Sequence, residues 1–130
     1  THSYLDAFRE YTRLKAPIQM SPRMVARNDT VDGVDFHEGD RVFLMYSSAC
    51  RDEAVFENAD RFDITRDTSA AIPFGAGPHF CAGAAASRAL VAEVAAPAIF
   101  EELKDLRLTG PVNAHGWAFR GPLRVPVAWG

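Results

Sequence analysis

The chain has 130 residues, 48% of them apolar and 24% charged, which bounds it to about one globular domain with a real core. Its formal net charge of −3 carries no basic footprint, so nucleic acid is excluded as a partner. Ala82 to Phe100 is apolar-rich but is broken by Ser87, Arg88, Glu93 and Pro97, so it is not a membrane span. No charged-then-apolar leader opens the chain, and its start at Thr1 leaves open a trimmed initiator or a piece of something longer. Two cysteines, Cys50 and Cys81, rule out a disulfide scaffold and fit a reducing, cytoplasmic compartment. Among fourteen cations only Lys15 and Lys104 are lysine. That bias points either to forked ion pairs or to a GC-rich, bacterial coding sequence.

In chain order, Tyr4 to Leu14 reads as an amphipathic helix. Ser3 is its N-cap, Pro17 its stop, and Tyr4, Leu5, Phe8 and Leu14 share a side. Short strands follow. Arg23 to Arg27 alternates, Asp32-Gly33 and Gly39-Asp40 are turns, and Arg41 to Tyr46 is apolar enough for a buried strand. Asp52 to Asp67 has no clear period and reads as a short helix followed by an ordered loop. Gly75, Gly77 and Pro78 then punctuate a loop, and Cys81 stands where an Ala-rich helix begins. That helix starts at about Ala82, kinks at Pro97 and ends at about Lys104. From Arg107 to Trp129, strand-like runs are separated by Gly110-Pro111, His115-Gly116 and Gly121-Pro122. The class is α+β.

The strongest chemical signal is FGAGPHFCAG, Phe74 to Gly83. A Gly/Pro loop turns tightly and points backbone N–H groups at a cysteine sulfur. The positive end of a following helix favours the thiolate as well, and both effects lower a thiol pKa. Such a sulfur is a nucleophile, a redox thiol or a soft metal ligand; equally, it is a small buried hydrophobe among alanines. Gly75-x-Gly77 lacks the third glycine of a dinucleotide fingerprint, because Phe80 stands there. His79, Cys81, His115 and Cys50 fit no zinc module by spacing.

The pattern Phe-x-x-Gly-x-His-x-Cys-x-Gly, carried by Phe74, Gly77, His79, Cys81 and Gly83, resembles the haem-binding signature of the cytochrome P450 family. Three more matches follow the family's order: Glu10-x-x-Arg13, SACRDEAVFENADRFD, and Arg61 within ADRF. The resemblance covers essentially the whole chain but only the C-terminal third of the family's mainly helical domain. Residues 1–130 are then one incomplete domain, in the order Glu-x-x-Arg helix, short strands, Cys-ligand loop, long Ala-rich helix and C-terminal β-hairpin.

The resemblance implies haem as cofactor, with the Cys81 thiolate as axial iron ligand. Arg23 and His79 would face the haem carboxylates, and Phe74, Gly75, Phe80 and Gly83 would complete the cofactor-binding set, with Phe74 packed against the haem on the thiolate side to exclude water. Glu10, Arg13 and Arg61 would form a structural Glu-Arg-Arg cluster, and Arg88 would lie where electron donors dock. Gln19, Met20 and Ser21, with Ala118 and Phe119, would face substrate, and their mixture suits a small, mostly apolar molecule. Cys50 replaces the usual Asn and reads as a buried small residue. The family's oxygen-activating acid-alcohol pair has no counterpart here: Asp29-Thr30 and Asp67-Thr68 lie in no apolar helical run.

The implied function is the haem-binding portion of a monooxygenase, with a ferredoxin- or flavin-type electron donor. The missing N-terminal part would come as a second chain, or a homodimer would cover the exposed face. The alternative is a free-standing truncated derivative that binds haem or a protein without hydroxylating anything.

Overall fold

A computed structural model describes residues 2–130. Helix α1 spans Tyr4–Leu14. Its capping box is complete: Ser3 Oγ accepts the Asp6 N–H at 3.2 Å, and the Ser3 N–H donates to Asp6 Oδ2 at 2.8 Å. Of the apolar side read from the sequence, Leu14 is buried and Leu5 and Phe8 are half-buried, while the buried face also takes in polar and charged residues. Glu10, Thr12, Arg13 and Leu14 are buried, while Tyr4 and Tyr11 are exposed. The helix packs by two means: Tyr4 and Phe8 stack on Phe100 and Phe74, and Arg13 with Glu10 meets the backbone acceptors of the loop beneath.

Strands β1 (Ser21–Met24) and β4 (Arg41–Leu44) pair antiparallel, with Arg23 opposite Val42 and Ser21 opposite Leu44. Between them, β2 (Asp29–Val31) and β3 (Val34–Phe36) form a hairpin. Its turn residues Asp32 and Gly33 both have positive φ, 50° and 79°, as a tight two-residue turn requires. The expected buried strand from Arg41 to Tyr46 is shorter and open. Phe43, Leu44 and Met45 are exposed, since a two-stranded ladder covers little, and Tyr46 already starts the short helix α2 (Tyr46–Ala49). The short helix expected after Asp52 therefore lies earlier, and residues 52–75 run as consecutive turns.

A 3₁₀ turn, Gly77–His79, precedes Cys81. The Ala-rich helix starts at Ala84, with Gly83 as its cap, so Cys81 stands three residues before it. It runs as α3 (Ala84–Arg88), a π segment (Ala89–Ala95) and α4 (Ala96–Glu102). Pro97 lacks an N–H and crowds the carbonyl one turn earlier. The widened π turns just upstream are where the irregularity expected at Pro97 is found.

The tail is an interrupted hairpin. Strand β5 (Arg107–Leu108) pairs with β8 (Val127–Ala128), and β6 (Ala114–His115) pairs with β7 (Gly121–Pro122) inside it. Gly121-Pro122 is thus a strand and not a separator. Its missing N–H is tolerated because β7 pairs on one side only.

At the tip, Gly116 has φ +97°, and a Cβ there would clash with the Phe119 carbonyl oxygen. Gly33 has the same sign of φ but open space around it. Gly33→Ala should cost about 1 kcal/mol from φ alone. Gly116→Ala should cost about 3 kcal/mol or more, because backbone must move. Denaturant midpoints of the two variants check this ordering, and equal shifts would contradict it.

Candidate functional site

Two centres organise the middle of the chain, a buried charge cluster and an exposed cysteine loop. In the cluster, Arg13 Nε donates to Glu10 Oε2 at 2.7 Å and Nη2 donates to Glu10 Oε1 at 2.9 Å. Nη1 donates to the carbonyls of Cys50 (2.7 Å) and Ala59 (2.9 Å), and Nη2 also reaches that of Arg61 at 3.3 Å. All five N–H groups of the guanidinium therefore have acceptors. Its side chain is fully buried, with the Phe56 ring 5.2 Å away.

Arg61 does not join the cluster by its side chain, which is exposed. The second arginine is Arg66, whose Nε lies 3.3 Å from Glu10 Oε1. Arg66 also donates to the carbonyls of Glu57 and Asn58, so it ties off the loop that Arg13 enters. ADRF and DITR each offer an arginine to the same turn, and no spacing rule separates them. Burial pushes the Glu10 carboxyl up, but Arg13, the Asp63 N–H and Arg66 outweigh it and hold Glu10 below the ordinary glutamate range.

In the cysteine loop, the Cys81 N–H donates to the Phe74 carbonyl at 2.9 Å, which closes the loop on itself. Gly75 and Gly77 have φ of 74° and 66°. Cys81 is exposed, as are His79 and Phe80. Phe74 is held between the Phe8 ring at 6.3 Å and the Arg88 guanidinium at 5.3 Å. A groove of about 440 Å³ lies beside it, lined by Phe8, Arg9, Phe74, Phe80 and Arg88 among others. Cys50 is fully buried, and its sulfur accepts the Ile72 N–H at 3.3 Å. Burial pushes its thiol above the ordinary range, so it is an inert packing residue.

Arg23 projects from β1. Its Nη1 donates to Ser21 Oγ at 2.5 Å and to the Pro22 carbonyl at 2.8 Å. Among the described residues it has no carboxylate partner, and Nε and Nη2 have no acceptor. The segments at Gln19 and Ala118 do meet. The Gln19 N–H donates to the Ala118 carbonyl, the Arg120 N–H donates to that of Pro17, and Ile18 bridges Phe119. Phe119 is 75% exposed at the tip. Met20, by contrast, is buried in the chain's own core and is withdrawn as a substrate-facing residue. Gln19 folds back onto the Ala16 carbonyl, and Ser21 is engaged by Arg23.

A family model described as cytochrome P450 matches residues 3–90. The chain belongs to the cytochrome P450 family. It is 35% identical over 123 residues to cytochrome p450 CYP199A2 of Rhodopseudomonas palustris, covering 94% of this chain and 30% of that protein. It is 36% identical over 119 residues to cytochrome P450-terp of a Pseudomonas species, covering 91% of this chain and 28% of that one. The crystal structure of P450BioI in complex with an acyl-ligated acyl carrier protein superposes with a TM-score of 0.91 at 30% identity, over 98% of this chain and 33% of that one. The chain thus spans about a third of the length of its relatives.

Haem is the cofactor of P450 proteins, and this donor set fits it. One exposed thiol suits iron, and a forked arginine without a carboxylate partner suits an acidic edge. Among the described residues no three His, Cys, Asp or Glu gather into a metal-binding group. Asp29-Thr30 lies on β2 and Asp67-Thr68 in the turns after Arg66, so neither dipeptide is on a helix.

Arg66→Ala should destabilise the protein by about 1–3 kcal/mol, since Glu10 loses a charged donor inside the fold. Arg61→Ala should stay within about 0.5 kcal/mol, because its carbonyl survives the change. Urea unfolding of both variants decides which arginine belongs to the cluster.

Acid should unfold the protein through Glu10. A depressed folded pKa contributes stability that is present above the ordinary glutamate value of 4.5 and is lost as pH falls through the folded value. Asp6, Asp63 and Asp67, also depressed by local hydrogen bonds, act in the same direction. Thermal melts from pH 7 to pH 3 should fall steeply below 4.5, and Glu10→Gln should start lower and fall less steeply.

Proposed function

We propose that the chain is the haem-thiolate portion of a P450 monooxygenase, with the Cys81 sulfur as axial iron ligand. The observation that carries this reading is the closed loop from Phe74 to Cys81, which presents one exposed thiol on backbone locked by the Cys81 N–H. Haem with a thiolate ligand supplies reductive oxygen activation, by which RH, O₂, two electrons and two protons give ROH and water. Every other contribution here belongs to the chain's own residues.

The locked loop holds the sulfur at one place. Phe74, clamped by Phe8 and Arg88, shields the backbone behind it from water. The carbonyl it offers to Cys81 takes up the N–H that would otherwise float. Arg23 and His79 would hold the haem carboxylates, Arg23 through Nε and Nη2, which have no acceptor among the described residues. Phe119 and Ala118, tied to Gln19, would border a small apolar substrate.

A ferredoxin- or flavin-type donor, approaching near Arg88, and a cytoplasmic setting complete the proposal. The remaining two-thirds of the family's domain would supply the acid-alcohol pair, as part of a longer chain or as a second one. Homodimerisation is the other way to cover the open face.

Adding hemin, reducing and exposing the protein to carbon monoxide tests this directly. The red-shifted Soret band of a thiolate-bound carbonyl haem is expected, and Cys81→Ala should abolish it. Cys81→His should leave haem bound but give an unshifted band. Haem uptake with an unshifted band in the wild type would remove Cys81 as ligand and favour a derivative that binds haem without hydroxylating.

A further inference from the structure

We propose that Ser21 and Tyr46 are positioning residues that hold Arg23 ready for a haem carboxylate, an inference that rests on the reading above. Ser21 and Arg23 are two residues apart on β1 and share a face of the β1–β4 ladder, opposite Leu44 and Val42. The same face continues past Leu44 to Tyr46, the first residue of α2.

Three contacts fix that corner. Ser21 Oγ accepts from Arg23 Nη1 at 2.5 Å and from the Tyr46 hydroxyl at 3.3 Å. The Ser47 N–H donates to the Gln19 carbonyl at 3.2 Å, pinning the start of α2 against the approach to β1. The end of the Tyr46 ring also abuts the cysteine loop: a Cβ on Gly75 would sit 3.8 Å from its hydroxyl. One side chain therefore bonds the arginine's anchor and stands next to the loop that carries Cys81.

The physical need is clear. Arginine has many rotamers, and an exposed ladder of two strands does not select one. Ser21 Oγ and the Pro22 carbonyl both take Nη1, which leaves Nε and Nη2 as a two-donor fork, the arrangement that pairs with a carboxylate. An arginine ordered in advance gives up less freedom when its ligand arrives. With no carboxylate partner for Arg23 among the described residues, the Ser21 contact has no evident purpose other than orientation. At 3.3 Å the Tyr46 contact is long for a hydroxyl pair, so Ser21 carries the larger share.

The test uses the full-length haem-loaded protein and follows haem transfer to excess apomyoglobin. Ser21→Ala should speed transfer about threefold to tenfold, the range for one lost hydrogen bond. Tyr46→Phe should speed it less, by about twofold. Ser21→Thr, which keeps the hydroxyl, should restore the wild-type rate. Combined with Arg23→Ala, neither substitution should add anything, since both act through Arg23.

Unchanged rates in Ser21→Ala and Tyr46→Phe would overturn the inference. So would the same acceleration in the Arg23→Ala background, which would mark general loosening. A wild-type protein that takes up no haem overturns the proposed function and this inference with it. An unshifted carbonyl band overturns thiolate ligation alone.

Discussion

The structure depends on one guanidinium. Arg13 enters a stretch of backbone with almost no regular secondary structure and gives each of its five N–H groups an acceptor, three of them carbonyls from Cys50, Ala59 and Arg61. A buried charge is tolerable only when it is paired and every donor is met. Glu10 supplies the pairing and is itself met by the Asp63 N–H at 2.9 Å and by Arg66. An apolar side chain of the same volume could fill the space, but it could not orient three carbonyls. That directionality is why residues 50–66 hold one conformation while making turns.

From that cluster the constraint passes to the thiol through backbone. Cys50, whose carbonyl Arg13 holds, takes the Ile72 N–H on its sulfur. Two residues on, Phe74 is wedged between Phe8 of α1 and Arg88 of α3, and its carbonyl receives the Cys81 N–H. Helix α1 therefore contributes at both ends of the path, with Arg13 at the start and Phe8 at the finish. The sulfur ends up exposed on a loop that is itself held from behind, an arrangement suited to presenting a ligand outward.

Some of this was legible in the sequence and some was not, for reasons that differ by residue. Helix α1 and its cap followed from Ser3 and Pro17, because capping is local chemistry, and the structure adds Asp6 as the other half of the capping box. The Asp32-Gly33 turn followed from backbone preferences equally local. The motif from Phe74 to Gly83 announced the cysteine loop because several rare residue types recur there at fixed spacing. Arg66 was missed in favour of Arg61 because a loop without periodicity gives no sign of which side chain turns inward. Met20 was misassigned for a similar reason: an apolar residue beside a site reads the same whether it lines the site or the core. The strand at Arg41 was overrated as buried since composition speaks to what could be covered, and a two-stranded ladder covers nothing.

The division of surface sets the energetics. Leu14, Ala16, Met20, Cys50, Phe56, Ala59, Ala84 and Ala92 make up the apolar core, and half of these are alanine. Leu90, Val91, Val94, Ile99, Phe100, Trp117 and Phe119 stand exposed. At about 25 cal/mol per Å² of buried apolar area, small alanines contribute little, and the larger potential gain lies outside, on surface still open to water. In so small a core, losing one member of the Glu10–Arg13–Arg66 network is costly, because it leaves a buried charge without its partner. A ligand that binds only the folded arrangement stabilises it by mass action. A planar macrocycle, apolar on both faces and acidic at one edge, would in the proposed role draw on the exposed thiol, on Arg23, which has no carboxylate partner among the described residues, and on the open apolar surface. In the proposed role, the cofactor would therefore complete the fold as well as the chemistry, and retention of the haem-facing residues and of the charge cluster would be a single constraint.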